Sequence, residues 1–164
     1  MPAAKQDHDN EEPRILVVDD SRVIRVTITR VLDTDYHVLQ ANDGQMGLER
    51  ARKVKPDLVI SDIMMPNLDG YGLICAIRGE ESTALSDVPI IVITSAEDDN
   101  VRERAYACGA SAFILKPFDA THLLNTIRKH LDNHHASAAE LAAIYDERIE
   151  SIVVSDVEQP EDAD

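Results

Sequence analysis

Five short apolar runs punctuate the middle of this chain: Ile15–Val18, Tyr36–Ala41, Leu58–Ser61, Ile90–Thr94 and Ala112–Leu115. Each is rich in valine and isoleucine and bounded by turn residues. Runs this short and this apolar read as strands buried on both faces of a sheet. Between them lie stretches with helical spacing. Ile24, Ile28, Val31 and Leu32 follow one helix face, with Ser21 placed to cap its start. A second helix pattern opens at Asp43 and carries Leu48, Ala51 and Val54; a third carries Leu73, Ile74 and Ile77. A fourth begins near Asp98 with Val101 and Ala105, and a fifth begins at Asp119 with Leu123, Leu124, Ile127 and Leu131. Five alternating strand–helix units restrict the fold to one class: α/β, a single doubly wound five-stranded parallel sheet with five helices.

Around this block, which spans 14–132, the pattern changes. Residues 1–13 are charged and aperiodic and predict a disordered acidic extension. Residues 133–164 read as a linker, a short amphipathic helix and an acidic tail. Ser137-Ala-Ala-Glu140 has the form of a capping box, and Leu141, Tyr145, Ile149 and Ile152 follow it at helical spacing over about 138–151.

The formal net charge of −15 disfavours a nucleic-acid backbone or an anionic lipid surface as partner. No apolar run approaches the roughly 18 residues of a membrane span, and the polar N-terminus is no signal peptide. The expected location is cytoplasmic, with no membrane association. Cys75 and Cys108 lie in helix patterns without CxxC spacing and are expected to be buried, reduced thiols.

In an open parallel sheet, ligands bind beyond the carboxyl ends of the strands. The first run here ends in Asp19-Asp20, the third in Asp62, the fourth in Thr94 and the fifth in Lys116-Pro117. Three carboxylates gathered at one edge repel, by about 4 kcal/mol per pair at ~4 Å and an effective dielectric of 20, unless a cation sits among them. An all-oxygen donor set points to a hard cation, best Mg²⁺. Lys116 offers a point charge and Thr94 a hydrogen-bond donor. Together they suit phosphoryl transfer to a carboxylate, which depends on positioning and charge neutralisation.

Four blocks, "LVVDDS", "SDIMMPNLDG", "VITS" and "AFILKPF", occur here in order and at the spacing of a known family. Residues 14–131 resemble the receiver domain of two-component response regulators. The resemblance implies a flavodoxin-like strand order 2-1-3-4-5. It implies that Asp62 is the phosphoacceptor and that Asp19, Asp20, Asp62 and the backbone carbonyl of Met64 hold Mg²⁺, with Asp20 a direct ligand. Thr94 and Lys116 would contact the phosphoryl oxygens, and a cis peptide would precede Pro117. Thr94 and Phe113 would form the switch pair; the family often has tyrosine at the second position, and the ring here carries no hydroxyl. The phosphoryl group would come from a sensor histidine kinase, a phosphotransfer protein or a small donor such as acetyl phosphate. Output would follow at the face formed by the fourth and fifth helices and the strand between them. The target would be a downstream protein, or a second copy in a phosphorylation-dependent homodimer. No DNA-binding domain is visible in the sequence. Such a domain is a signalling phosphoacceptor rather than an enzyme in the usual sense.

Two other classes share parts of this pattern. A haloacid-dehalogenase-like phosphohydrolase also uses a strand-end aspartate with Mg²⁺, but it needs a second aspartate where this chain has Met64. An inactive receiver-like binding module would not need the full acid set and Lys116. Asp69-Gly70, within Pro66-Asn-Leu-Asp-Gly, reads as turn chemistry rather than as a ligand.

Overall fold

The computed structural model describes residues 12–96 and 98–135. The stretch 1–11 of the N-terminal extension and the expected helix and acidic tail over 136–164 lie outside the described residues. Five strands, β1 (Arg14–Val18), β2 (His37–Ala41), β3 (Leu58–Ser61), β4 (Ile90–Thr94) and β5 (Ala112–Leu115), form one sheet in the order β2-β1-β3-β4-β5. All neighbouring pairs are parallel. Six helices are seen among the described residues: α1 (Arg22–Leu32), α2 (Gly44–Val54), α3 (Gly70–Arg78), α4 (Thr83–Ser86), α5 (Asp99–Cys108) and α6 (Ala120–His135). None is long and apolar enough to cross a membrane.

The alternation of side chains along each strand divides the core in two. Leu16, Val18, Val59, Ile90 and Val92 face the layer of α2, α3 and α5, where they meet Leu48, Leu73, Ile74, Ile77 and Ala105. Ile15, Val17, Leu58, Ile60, Ile91 and Ile93 face the other layer, where Ile28 and Leu32 of α1 meet Leu123, Ile127 and Leu131 of α6. This double covering explains why β1, β3 and β4 carry apolar residues at successive positions.

The edge strands depart from the expectation of complete burial. His37 is exposed and Val38, Leu39 and Gln40 are half-buried; in β5 only Ile114 is fully buried. A strand with one neighbour is covered less well at its free edge. The fold also holds one helix more than the five major ones, the single turn α4. Cys75 is exposed and Cys108 half-buried, which corrects the expectation of two buried thiols. Finally, α6 continues through Asn133, His134 and His135, where the sequence pattern suggests a linker.

Helix starts follow local chemistry. Ser21, Asp43, Asp69 and Asp98 each cap a first turn by accepting a backbone N–H, from Ile24, Met46, Gly72 and Asn100 respectively. Asp69-Gly70 therefore closes the turn after β3 and starts α3 in the same step.

Candidate functional site

The chain runs from β1 out to β2, then crosses back to β3 on the other side of β1. This is the switch point of the sheet, where a crevice opens at the carboxyl ends of the strands. Pairing Val18 with Ser61 places the residues that follow them, Asp19 and Asp62, side by side. The Asp62 N–H donates to the Val18 carbonyl at 3.0 Å, and the Asp19 N–H to that of Ala41 at 3.1 Å. Asp19 and Asp62 are buried; Asp20 is exposed at the rim. Carboxylate oxygens of the three lie within 4.8 Å of one another.

Lys116 arrives from the end of β5. Its backbone N–H donates to the Thr94 carbonyl at 2.8 Å, and the Lys116-Pro117 peptide is cis, as the resemblance implies. The ammonium bridges two acids, donating to Asp19 Oδ2 and Asp62 Oδ2 at 2.9 Å each. Their other oxygens are held by backbone: Asp19 Oδ1 accepts from Ser21 N at 2.8 Å, and Asp62 Oδ1 from Ile63 N at 2.6 Å. Both carboxylates are thus fixed in orientation. Burial raises the Asp19 carboxyl above its ordinary 3.8, and the Asp62 charge adds to this. The Ser21 N–H and Lys116 pull it down without cancelling the rise. Burial acts against the Lys116 ammonium, but its hydrogen bonds to Asp62 and Asp19 and their charges outweigh that, so its pKa is raised above 10.5.

Thr94 is buried at the end of β4, and its Oγ1 accepts a long hydrogen bond from Ala96 N at 3.4 Å. Its hydroxyl is bonded to neither acid nor to Lys116 among the hydrogen bonds of the described residues. Phe113 pairs in register with Val92 and packs against the α2–α3–α5 core, outside the acid cluster. The Arg102 guanidinium stands 5.3 Å from its ring centroid, a cation–π contact. Met64 lies in the loop after β3 with its side chain 71% exposed, while Met65 packs against the core.

Several supporting residues carry no sequence signal of their role. Arg25, one turn into α1, donates from Nη1 to the Asp19 carbonyl at 2.6 Å and from Nε to Gln40 Oε1 at 3.2 Å. It fixes the peptide that joins the two acids. Buried Ser61 donates to the Asp62 carbonyl at 2.8 Å. The loop after β3 is held to the start of α2, because Asn67 Nδ2 donates to Asp43 Oδ2 at 2.7 Å and Gly44 N to Leu68 O at 3.1 Å. Gly70 approaches the Asp62 carbonyl so closely that a Cβ there would overlap it.

Three carboxylates against one ammonium leave the cluster net negative, and every donor the acids offer is oxygen. That set fits a hard divalent cation and not a soft one. The excess charge has a consequence for stability. Ionised Asp19 is a cost to the folded state, since its folded pKa lies above the unfolded value. That cost is absent below pH 3.8, grows as pH rises toward the folded pKa and is complete above it. Asp19→Asn is expected to raise the melting temperature at neutral pH by about 2–5 °C. The gain should shrink on acidification toward pH 3.8. Melting curves of both proteins across that window, without divalent ions, check it; a variant less stable than the parent at neutral pH would refute it.

A doubly wound sheet with an acid triad, a threonine and a lysine at its switch point defines a signalling domain of the receiver class. The family model for the response regulator receiver domain matches residues 15–128, and the chain belongs to that family. It is 40% identical over 124 residues to the probable transcriptional regulator ycf27 of Porphyra purpurea, covering 75% of this chain and 49% of that protein. It is 32% identical over 119 residues to hybrid signal transduction histidine kinase D of Dictyostelium discoideum, covering 73% of this chain and 8% of that one. The chain therefore spans half or less of these curated relatives. Among solved structures, chemotaxis protein CheY4 of Vibrio cholerae superposes with a TM-score of 0.67 at 32% identity, over 73% of this chain and 98% of that one. The receiver domain of a histidine kinase from Syntrophus aciditrophicus gives 0.70 at 29% identity, over 76% and 94%.

Proposed function

We propose that this receiver takes a phosphoryl group on Asp62 and signals through a change in protein contacts. The observation that carries the reading is the Lys116 ammonium, held 2.9 Å from both Asp19 and Asp62 at the sheet's switch point. The donor is the phosphohistidine of a sensor histidine kinase or phosphotransfer protein, or a small acyl phosphate. An Asp62 oxygen attacks phosphorus in line as the bond to the donor's nitrogen or oxygen breaks, and the donor leaves with the electron pair. The Ile63 N–H keeps the carboxylate plane fixed during attack. Lys116 then faces a phosphoryl oxygen, and Thr94 turns its hydroxyl from Ala96 to donate to another. Asp19, Asp20, Asp62 and the Met64 backbone carbonyl would hold Mg²⁺, which would supply the remaining neutralisation of phosphoryl charge.

Withdrawal of Thr94 into the site frees space that Phe113 can follow. The two residues are adjacent across β4 and β5, where Val92 pairs with Phe113 and Thr94 with Leu115. The change shifts a pre-existing equilibrium at the face of α5, β5 and α6. Tyr106 on α5 and Leu115 on β5 are exposed there, which suits a protein partner or a second copy of this chain. The protein works in the cytoplasm, where histidine kinases present their phosphohistidine.

Incubation with radiolabelled acetyl phosphate tests the reading. Label should enter with Mg²⁺, fall to background with a chelator, and be lost in alkali as an acyl phosphate is. Labelling indifferent to chelation, or stable to alkali, would overturn it.

A further inference from the structure

Arg25 stands one turn into α1, and its side chain runs back toward the loop that precedes the helix. Helical side chains lean toward the N-terminus, so a long one at this position reaches that loop. Its Nη1 donates to the Asp19 carbonyl at 2.6 Å, and that carbonyl belongs to the peptide joining Asp19 to Asp20. The following peptide is pinned as well, since Ser21 N donates to Asp19 Oδ1 at 2.8 Å. Asp20 is therefore hung between two fixed peptides. It depends on them, because its side chain is exposed and makes no hydrogen bond or ion pair among the described residues. Arg25 is held in turn. Its Nε donates to Gln40 Oε1 at 3.2 Å, Gln40 Nε2 donates to Thr29 Oγ1 at 3.2 Å, and Thr29 Oγ1 donates to the Arg25 carbonyl at 2.7 Å. This closed ring ties α1 to β2, where Gln40 pairs in register with Val17 of β1. The first turn of α1 carries no acid, and a cation there opposes the helix dipole. The helix's own stability thus gives no reason for an arginine at this position; the loop before it does.

We propose that Arg25 is a positioning residue for the divalent cation, holding the Asp20 backbone so that its carboxylate joins those of Asp19 and Asp62 around the ion. The inference rests on the metal site of the phosphoacceptor reading and adds a residue that touches neither ion nor phosphoryl group. Two effects of the guanidinium oppose each other. Its charge repels a cation, while its hydrogen bonds order a ligand that nothing else orders. The charge is half-exposed and screened by water and salt. Loss of a partner that orients a metal ligand typically weakens metal binding by about 10–100-fold. Positioning therefore outweighs repulsion. Removing Arg25 weakens the binding of the ion even though it removes a like charge.

Calorimetric titration of Mg²⁺ into the full chain, with no phosphoryl donor present, reads this directly. Arg25→Met keeps the apolar stem and loses the guanidinium. Its dissociation constant for Mg²⁺ should rise about tenfold, the low end of the range because the contact is to a ligand's backbone and not to its carboxylate. Arg25→Lys keeps the charge and one donor and should recover part of the loss. Gln40→Leu leaves Arg25 in place without its anchor and should shift the constant the same way by less; it also tests the contact chain if Arg25→Met does not fold. With acetyl phosphate, the Mg²⁺ concentration for half-maximal labelling of Arg25→Met should rise in proportion, while the rate at saturating ion stays that of the parent. Mg²⁺ bound by Arg25→Met as tightly as by the parent, or more tightly as loss of charge alone predicts, would overturn the proposal. Parent-like binding in Gln40→Leu would do the same where Arg25→Met is unfolded. A parent that binds no Mg²⁺ would overturn the metal site together with this inference, so the two failures are told apart.

Discussion

Asp62→Asn will keep the fold and take up no phosphoryl group. The amide has almost the shape of the carboxylate, and its oxygen can still accept the Ile63 N–H that Asp62 Oδ1 accepts at 2.6 Å. Lys116 keeps Asp19 as its partner at 2.9 Å. The change also removes one of three negative charges from a cluster with a single ammonium, so stability should hold or rise. What is lost is the nucleophile. An amide oxygen carries no full charge with which to attack phosphorus, and the donor's leaving group is then never displaced. Labelling from acetyl phosphate should fall to background while the melting transition stays cooperative. A variant labelled as the parent is would place the acceptor elsewhere.

Lys116→Ala should have the larger effect on stability. Asp19 and Asp62 are both buried, and Lys116 is the one cation bonded to either side chain among the described residues. Removing one member of a buried ion cluster leaves charge without compensation and typically costs about 3–5 kcal/mol. The ammonium is itself partly exposed and Asp20 sits in solvent, so the lower end, about 3 kcal/mol, applies here. The Lys116 contribution is present at neutral pH, where Asp19 is ionised, and is lost as pH rises past 10.5 through the raised folded value. The deficit should therefore show at neutral pH. A divalent cation bound to the same acids would replace part of the missing charge and stabilise by linkage. Urea unfolding of parent and variant, each with and without Mg²⁺, reads both effects. The variant should be the less stable and should gain more from the ion. Equal stability without the ion would mean that the bridge carries little of the cluster's charge balance.

Most of this site is legible in the sequence because parallel-sheet topology sorts it. Once the five apolar runs are taken as strands, their last residues must share an edge. Asp19, Asp20, Asp62, Thr94 and Lys116 then fall together without any coordinates. Helix starts at Ser21, Asp43 and Asp98 are legible for a similar reason: capping is local, within three residues. What the sequence hides is what depends on packing. Arg25 reads as an ordinary exposed helix residue, and only the position of α1 over β1 brings its guanidinium to the Asp19 carbonyl. Cys75 sits in "GLICAIRG", apolar on nearly every side, so periodicity cannot say that it faces solvent. The four residues of α4 are too few to show a period. The half-exposure of β2 and β5 follows from their places at the edges of the sheet, which their own residues do not announce. The Asn67–Asp43 bond joins residues from different loops, and no local pattern pairs them.

The phosphoryl group should reside on Asp62 and nowhere else. Borohydride reduces an aspartyl phosphate to homoserine and leaves free aspartate unchanged. Labelling the full chain with acetyl phosphate and Mg²⁺, reducing it and sequencing its peptides by mass spectrometry locates the acceptor directly. Homoserine should appear at position 62 and at no other aspartate, Asp19 and Asp20 included. Homoserine at either of those, or none anywhere in a protein that has taken up label, would contradict this assignment.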